Sequence, residues 1–440
     1  CFCLFFTSIF LARSRLGAKR RHASVLSKFF GGGGGIKGGG NRKVTRISLS
    51  DVTQRNLLLS GALNLVDISV FLAELTASST NSYAGVKGHF CPLNFAAQKE
   101  DPSRVPMFRH LVEASPDCAK EVFEVDLKEM AELARAHDAK QKSDGGAPKA
   151  LPIGGVVFHE SRCGSTLVAN SLVAMNPTKH RVYSESSPPI AAIKTICGDT
   201  FTHCTPDQAA QILRDVMYLM SRTNDEREER VFFKIQSIGT RQLGVFQKAY
   251  PDVPWAFVYR DPVQVIMSQI EQGTKTANCV RPRTHPPTIV SDLLLKKGTN
   301  AHDVSDEKYC AAHLATITES ALEGLERSPT MGSVVNYADL PHVLWEWLLP
   351  KRWNIQPTKE EITGIQKISG VYSKSSSGRK AFHADSKAKE DKATPAVREA
   401  AQLFMQESFD RLQSKRKEYH LHHHHNKEHH HSKTKPTIKT

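Results

Sequence analysis

Residues 161–166 read Ser-Arg-Cys-Gly-Ser-Thr, a guanidinium and a glycine followed by two adjacent hydroxyls. They lie between an apolar run, Ile153–Phe158, and the residues Val168, Leu172 and Met175. The run suits a central parallel strand, and the three residues recur at i, i+4 and i+7 on one helical face. A strand, a loop of small residues and a helix aim backbone N–H groups and a positive helix end at one point. The chemistry of such a point is anion binding, with phosphate the expected anion. The plain alternative is a strand–helix turn in which Ser165 or Thr166 only caps the helix.

The loop is not a triphosphatase loop, which needs a lysine directly before the hydroxyl residue. Gly164 precedes Ser165 with nothing between, and the cation, Arg162, stands two places before the glycine. A second cation and hydroxyl follow nearly a hundred residues later: Arg260 ends the apolar run Trp255–Tyr259, and Ser268 lies eight residues on. An arginine so placed can fork onto phosphate oxygens while a serine donates its hydroxyl. Taken separately, Arg260 can equally pair with a carboxylate and Ser268 sit on a helix surface.

The first loop resembles the 5′-phosphosulfate loop of the sulfotransferase family, where Lys or Arg precedes Gly and two hydroxyl residues that open a helix. Ala256–Ser268, AFVYRDPVQVIMS, resembles that family's 3′-phosphate motif, including Arg-Asp-Pro at Arg260–Pro262. The likeness covers Leu151–Gln272. It implies 3′-phosphoadenosine 5′-phosphosulfate as donor and no metal. The residues it implies for binding are Arg162, Cys163, Gly164, Ser165, Thr166, Arg260 and Ser268. Ser377-Gly378-Arg379-Lys380 corresponds, in altered order, to the family's Arg-Lys-Gly element, which adds Arg379 and Lys380; the alternative is a charged surface loop.

Transfer to a hydroxyl needs a base. Family members with an arginine in the first loop use a glutamate shortly after the loop helix. That implies Glu185, in RVYSESSPP at Arg181–Pro189, behind a short strand at Val182-Tyr183. Glu185 and Arg162 form the implied catalytic set. His159 and Glu160 flank the loop and compete as bases, with His159 expected to orient the loop. Lys234 is a charge within the apolar run Val231–Ile235 and must emerge at the strand end or be paired. It is open whether its partner is sulfate, substrate or a structural carboxylate.

The elements that must position these groups alternate strand and helix. Strands are expected at Val231–Ile235, Trp255–Tyr259 and Ser333–Tyr337, with helices over Thr240–Tyr250 and Pro262–Gln272. The expected fold is α/β: a central parallel sheet flanked by helices on both faces, P-loop nucleotide-binding-like, with ligands at the strands' carboxyl ends. This core spans 151–410. Before it, 46–150 is expected as a helical region, with one helix at Phe123–Ala136, and 1–45 as a targeting or disordered leader containing the linker GGGGGIKGGG. The segment 273–301 is expected as a loop, of the kind that forms lids. Residues 411–440 are expected as a basic, His-rich disordered tail.

Of the net charge of +14, residues 1–50 carry ten Lys or Arg and no acid, and residues 411–440 carry eight basic and two acidic residues. Residues 51–410 therefore stand at −2, which speaks against a nucleic-acid-binding body. None of the nine cysteines forms a C-x-x-C pair, so zinc is not indicated. Cys197 and Cys204 are close enough to bridge but are expected as free thiols. The apolar run CFCLFFTSIFLA precedes five basic residues. It suits a signal segment, a membrane-associating anchor or an organelle presequence, so a secretory or organellar address competes with a cytoplasmic one. The expected activity is sulfuryl transfer to a hydroxyl of a sugar, lipid, small metabolite or tyrosine. A P-loop kinase-like phosphotransferase and a non-catalytic nucleotide-binding protein are the rivals.

Overall fold

The computed structural model describes residues 42–69, 83, 85–198, 203–271, 273–374, 380–383 and 385–417. The leader before residue 42, Arg379 and the histidine runs of the tail lie outside the described residues.

Residues 42–150 hold helices Val52–Leu59, Phe95–Glu100, Phe108–Glu113, Pro116–Lys120 and Leu127–Ser143, as a helical region should, but also a sheet that was not expected. They carry strands β1 (Lys43–Arg46), β2 (Asn64–Ser69), β3 (Lys87–Cys91) and β4 (Glu121–Asp126), in sheet order β1-β4-β3-β2. The helix expected from Phe123 begins instead at Leu127 and runs to Ser143, because Asp126 accepts hydrogen bonds from the Lys128 and Glu129 amides and starts it there. The preceding residues EVFEVD alternate with the period of a strand, and Phe123 pairs with Phe90 across the sheet. Strand β1 also places Lys43–Arg46 inside the fold, earlier than the boundary at residue 46 allowed.

The core sheet contains β5 (Ile153–His159), β6 (His180–Ser184), β7 (Arg230–Lys234), β8 (Trp255–Tyr259) and β9 (Gly332–Asn336). All its pairings are parallel, in the order β6-β7-β5-β8-β9. Successive side chains go to opposite faces. Val156, Phe158, Phe233, Trp255 and Phe257 pack with helices Pro206–Ser221, Leu243–Ala249 and Asp306–Arg327. Val157, Phe232, Ala256, Val258 and Val335 pack with helix Ser165–Met175, the π-helical segment Leu344–Arg352 and helix Lys359–Ser369. The first of these cores continues into the N-terminal sheet through Leu65, Phe90 and Val125. Buried ion pairs Arg222–Asp138 (2.7 Å) and Lys99–Glu228 (2.7 Å) fasten the two sheets' units together.

Three further expectations are corrected. The segment 273–301 is not an open loop: it holds helix Thr288–Lys296, and Cys279 bridges to Cys310. Arg283 also ties it down, donating to the Ala301, His302 and Val304 carbonyls and pairing with Asp306. Cys197 and Cys204 form a disulfide, as do Cys91 and Cys118, which leaves Cys163 as the free cysteine among the described residues. Residues 411–417 are helical rather than tail: Leu412 is buried, and Arg416 makes a two-pronged ion pair with Asp339 (2.6 and 2.7 Å).

Two tests follow from this packing. Non-reducing peptide mapping should recover Cys91–Cys118, Cys197–Cys204 and Cys279–Cys310 as linked peptides, with Cys163 alkylated only after unfolding. A Cβ at Gly155 would lie 2.5 Å from the Trp353 ring. Gly155→Ala should therefore destabilise the fold by about 1–3 kcal/mol in urea titration, with an unchanged midpoint contradicting the packing.

Candidate functional site

The loop between β5 and helix Ser165–Met175 has an uncommon backbone. Ser161 (φ 83°), Arg162 (φ 55°) and Gly164 (φ 85°) are all left-handed. Only the last is free of the Cβ penalty, so the first two store strain of the kind found at ligand sites. A Cβ on Gly164 would meet the Tyr337 ring at 2.7 Å, so glycine is required there by space as well as by φ. The helix has no side-chain cap. Neither Ser165 nor Thr166 is used that way, and their buried hydroxyls stand at the positive helix end.

Cys163 points away from the loop's mouth. Its thiol donates to the Val258 carbonyl (3.0 Å) and is pushed up to about 11 by burial and by Glu160. Only its amide can serve an anion. Arg162 reaches across to the second motif, its Nε donating to Ser268 Oγ at 3.0 Å. Gln269, one residue further along the same helix, donates to Ser161 Oγ at 3.1 Å. The two motifs, distant in sequence, thus meet at the carboxyl ends of β5 and β8.

Arg260 is brought to that end but is held elsewhere. It donates to Gln264 (2.8 Å) and Ser386 (3.0 Å), pairs with Asp385 (2.7 Å) and lies 4.0 Å over the Tyr337 ring. The carboxylate alternative for Arg260 is therefore the arrangement seen, and Ser268 bonds to Arg162 instead. Asp261 accepts from the Gln264 amide and caps helix Pro262–Ile270. Lys380 is exposed, and its carbonyl accepts from Tyr372 in the short pairing that joins Val371 to Ala381. Asn170 of the loop helix donates to the Ser373 carbonyl (3.0 Å), which anchors this segment over the loop.

Glu185 follows β6 in a left-handed conformation (φ 57°), and its amide donates to the Lys234 carbonyl (2.7 Å). That turn brings its carboxylate onto the Lys234 ammonium, which has no solvent exposure. Lys234 also reaches Thr166 Oγ1 at 3.4 Å, so it stands between the anion loop and the carboxylate. His159 Nε2 lies 3.4 Å from the same Glu185 oxygen. Burial alone would raise the Glu185 pKa, but Lys234 and His159 outweigh it and hold the group well below the usual carboxylate range.

The competing bases are poorly placed. His159 Nδ1 already accepts from the Ser161 amide (3.1 Å), and burial with Lys234 pushes its pKa down to about 4. Glu160 is buried on the other side of the loop, accepting from the Arg260 amide (3.3 Å); burial and Asp261 raise it to about 8.

Sequence reasoning missed Lys374. Desolvation and then Lys234 lower it to about 8, although the residue keeps solvent access, and the field it feels includes Glu185, Arg162 and Arg109. A lone lysine in a Ser-rich stretch gives no signal of this; only the fold brings it to the site. Asp385 and Tyr337, which hold Arg260, were likewise invisible. Among the described residues no group of side chains could hold a metal ion.

No family model and no curated protein matches this chain. Solved structures do. The sulfotransferase STF9 from Mycobacterium avium is 10% identical, with TM-score 0.38, over 71% of this chain and 85% of its own. The sulfotransferase domain from the curacin biosynthetic pathway is 12% identical, with TM-score 0.34, over 57% and 97%. The sulfotransferase domain of the Synechococcus PCC 7002 olefin synthase is 13% identical, with TM-score 0.31, over 58% and 95%.

Glu160 gives a pH test. Its folded pKa of about 8 lies above the ordinary 4.5, so the folded state keeps a proton that the unfolded chain has lost. That contribution is whole below 4.5 and disappears as pH rises through about 8. Glu160→Gln should gain stability over the parent as pH climbs across this window and level off above it. Parallel urea midpoints through the window would contradict the buried, proton-holding carboxyl.

Proposed function

We propose that this chain transfers a sulfuryl group from 3′-phosphoadenosine 5′-phosphosulfate to an acceptor hydroxyl. One observation carries this reading above the others: Arg162 of the first loop bonds directly to Ser268 of the second motif. A ligand with a phosphosulfate at one end and a ribose 3′-phosphate at the other needs two anion sites in one cleft, and that contact joins them. The Arg260 side chain, now on Asp385, is the second site's fork, released when an anion competes with the half-exposed carboxylate.

In the proposed reaction the acceptor oxygen attacks sulfur while the bond from sulfur to the phosphate oxygen breaks. The acceptor proton passes to Glu185, and the electron pair leaves with adenosine 3′,5′-bisphosphate. Arg162, the Gly164–Thr166 amides and the Ser165 and Thr166 hydroxyls stabilise charge on the departing phosphate. The work is mostly positioning and electrostatics.

Lys234 supplies the timing. Paired with it, Glu185 is too weak a base to be useful. An anion seated beside Thr166 competes for the same ammonium. As the pair loosens, the carboxylate regains basicity only when the donor is present.

Asp261, the residue that a magnesium-dependent phosphotransferase would call upon, is occupied as a helix cap. The three disulfides, with an acid-free apolar-then-basic leader, favour an oxidising compartment such as the secretory lumen. Among the described residues no helix is long and apolar enough to cross a membrane. The apolar run of the leader is the segment proposed for membrane association.

The test is a screen of cell extract with sulfur-labelled donor, products identified by mass. Arg162→Ala should lower turnover by about 10²–10³-fold, and Glu185→Gln by about 10²–10⁴-fold with donor affinity kept or raised, since Lys234 is then free for the anion. Full activity in Glu185→Gln would remove it as the base. A chain that binds the bisphosphate yet labels nothing would be a binding protein.

A further inference from the structure

We propose that His159 is a positioning residue that links the donor loop to the base: its Nε2–H holds one oxygen of Glu185 and leaves the other for the acceptor proton. This rests on the sulfuryl-transfer reading of the site.

The argument begins with the loop. Ser161 takes its left-handed conformation (φ 83°), and its N–H turns back onto His159 Nδ1 at 3.1 Å. A neutral imidazole has one donor and one acceptor nitrogen. With Nδ1 spent as the acceptor, the proton resides on Nε2. That N–H makes no hydrogen bond as it stands, and Glu185 Oε1 lies 3.4 Å from it, close enough for a small turn of the carboxylate to complete the bond. His159 is 3% exposed, so water cannot substitute for the contact without entering the core.

Lys234 holds Oε1 and the His159 Nε2–H stands 3.4 Å from the same oxygen, while among the described residues no hydrogen bond reaches Oε2. The Glu185 side chain is 24% exposed, which gives that second oxygen a route to an acceptor. If the donor draws Lys234 away, His159 is the contact that remains to orient the carboxylate. The neutral imidazole still lowers the Glu185 pKa as a hydrogen-bond donor, so its contribution is to orient the carboxylate, while release of Lys234 is what restores basicity.

Two substitutions separate this from a role in the loop alone. His159→Asn keeps an acceptor where Nδ1 lies but removes the donor to Glu185. His159→Gln places an amide N–H where Nε2–H lies. The probes are adenosine 3′,5′-bisphosphate in calorimetry and sulfur-labelled donor with the extract fraction that the parent chain labels. His159→Asn should lower kcat roughly tenfold, the worth of one hydrogen bond, with bisphosphate affinity within about twofold, and His159→Gln should restore most of kcat. Parent-level turnover in His159→Asn, or bisphosphate binding lost only in His159→Gln, would overturn the proposal by showing that His159 serves only the loop.

A readout independent of turnover is ¹⁵N resonance of labelled histidine. His159 should show the neutral Nε2–H form, and Glu185→Gln should shift that resonance; no shift would overturn the contact. If the parent chain fails to bind the bisphosphate while this shift persists, the donor reading falls and takes the catalytic role of His159 with it, although the contact stands.

Discussion

The structure depends on a lysine ammonium sealed at the carboxyl end of a central strand. Lys234 has no solvent exposure, and Glu185 is the carboxylate that compensates it. Leaving such a charge unpaired costs about 3–5 kcal/mol, so the pair constrains everything around it. It explains why Glu185 adopts a left-handed conformation after β6, which is the turn that brings its side chain over β7. It explains why a strand otherwise made of Val231, Phe232 and Phe233 can end on a cation. Thr166 and His159 complete the cluster, so loop, base and sheet meet at one ammonium group.

The same pair sets the chemistry. A carboxylate locked to a buried lysine is inert as a base, and a lysine locked to a carboxylate is unavailable to an anion. On the proposed reading, each becomes useful when an anion enters the loop and divides them. The second motif shows the same logic at Arg260, which rests on Asp385 and the Tyr337 ring. Lys234 and Arg260 are thus each held on a carboxylate of the site itself, which limits the cost of keeping them buried.

Much of the core was legible in the sequence. Trp255–Tyr259 is a strand at the bounds its apolar run suggested, and Pro262 and Asp261 mark the next helix by their own preferences. Central parallel strands are apolar on both faces, so their runs stand out. The N-terminal sheet was hidden because its strands are short and mixed: Lys43–Arg46 has two charges in four residues, and Lys87–Cys91 contains glycine and histidine. The Cys197–Cys204 bridge was also illegible, since proximity in sequence does not decide pairing. At the site, the loop and Ser268 were readable as types at spacings, and Glu185 was reached through the family resemblance. The Arg162–Ser268 bond, the parking of Arg260 and the approach of Lys374 exist only through the fold.

The central claim is that the two motifs form one cleft for a ligand bearing separated phosphates. The most direct measurement is calorimetric titration of the whole chain with adenosine 3′,5′-bisphosphate, adenosine 5′-monophosphate and ATP with magnesium. The account predicts one-to-one binding of the bisphosphate, at least about tenfold tighter than the monophosphate because the 3′-phosphate adds a charge-assisted contact, and no advantage for ATP with magnesium. Equal affinity for bisphosphate and monophosphate, or tighter binding of ATP with magnesium, would contradict it.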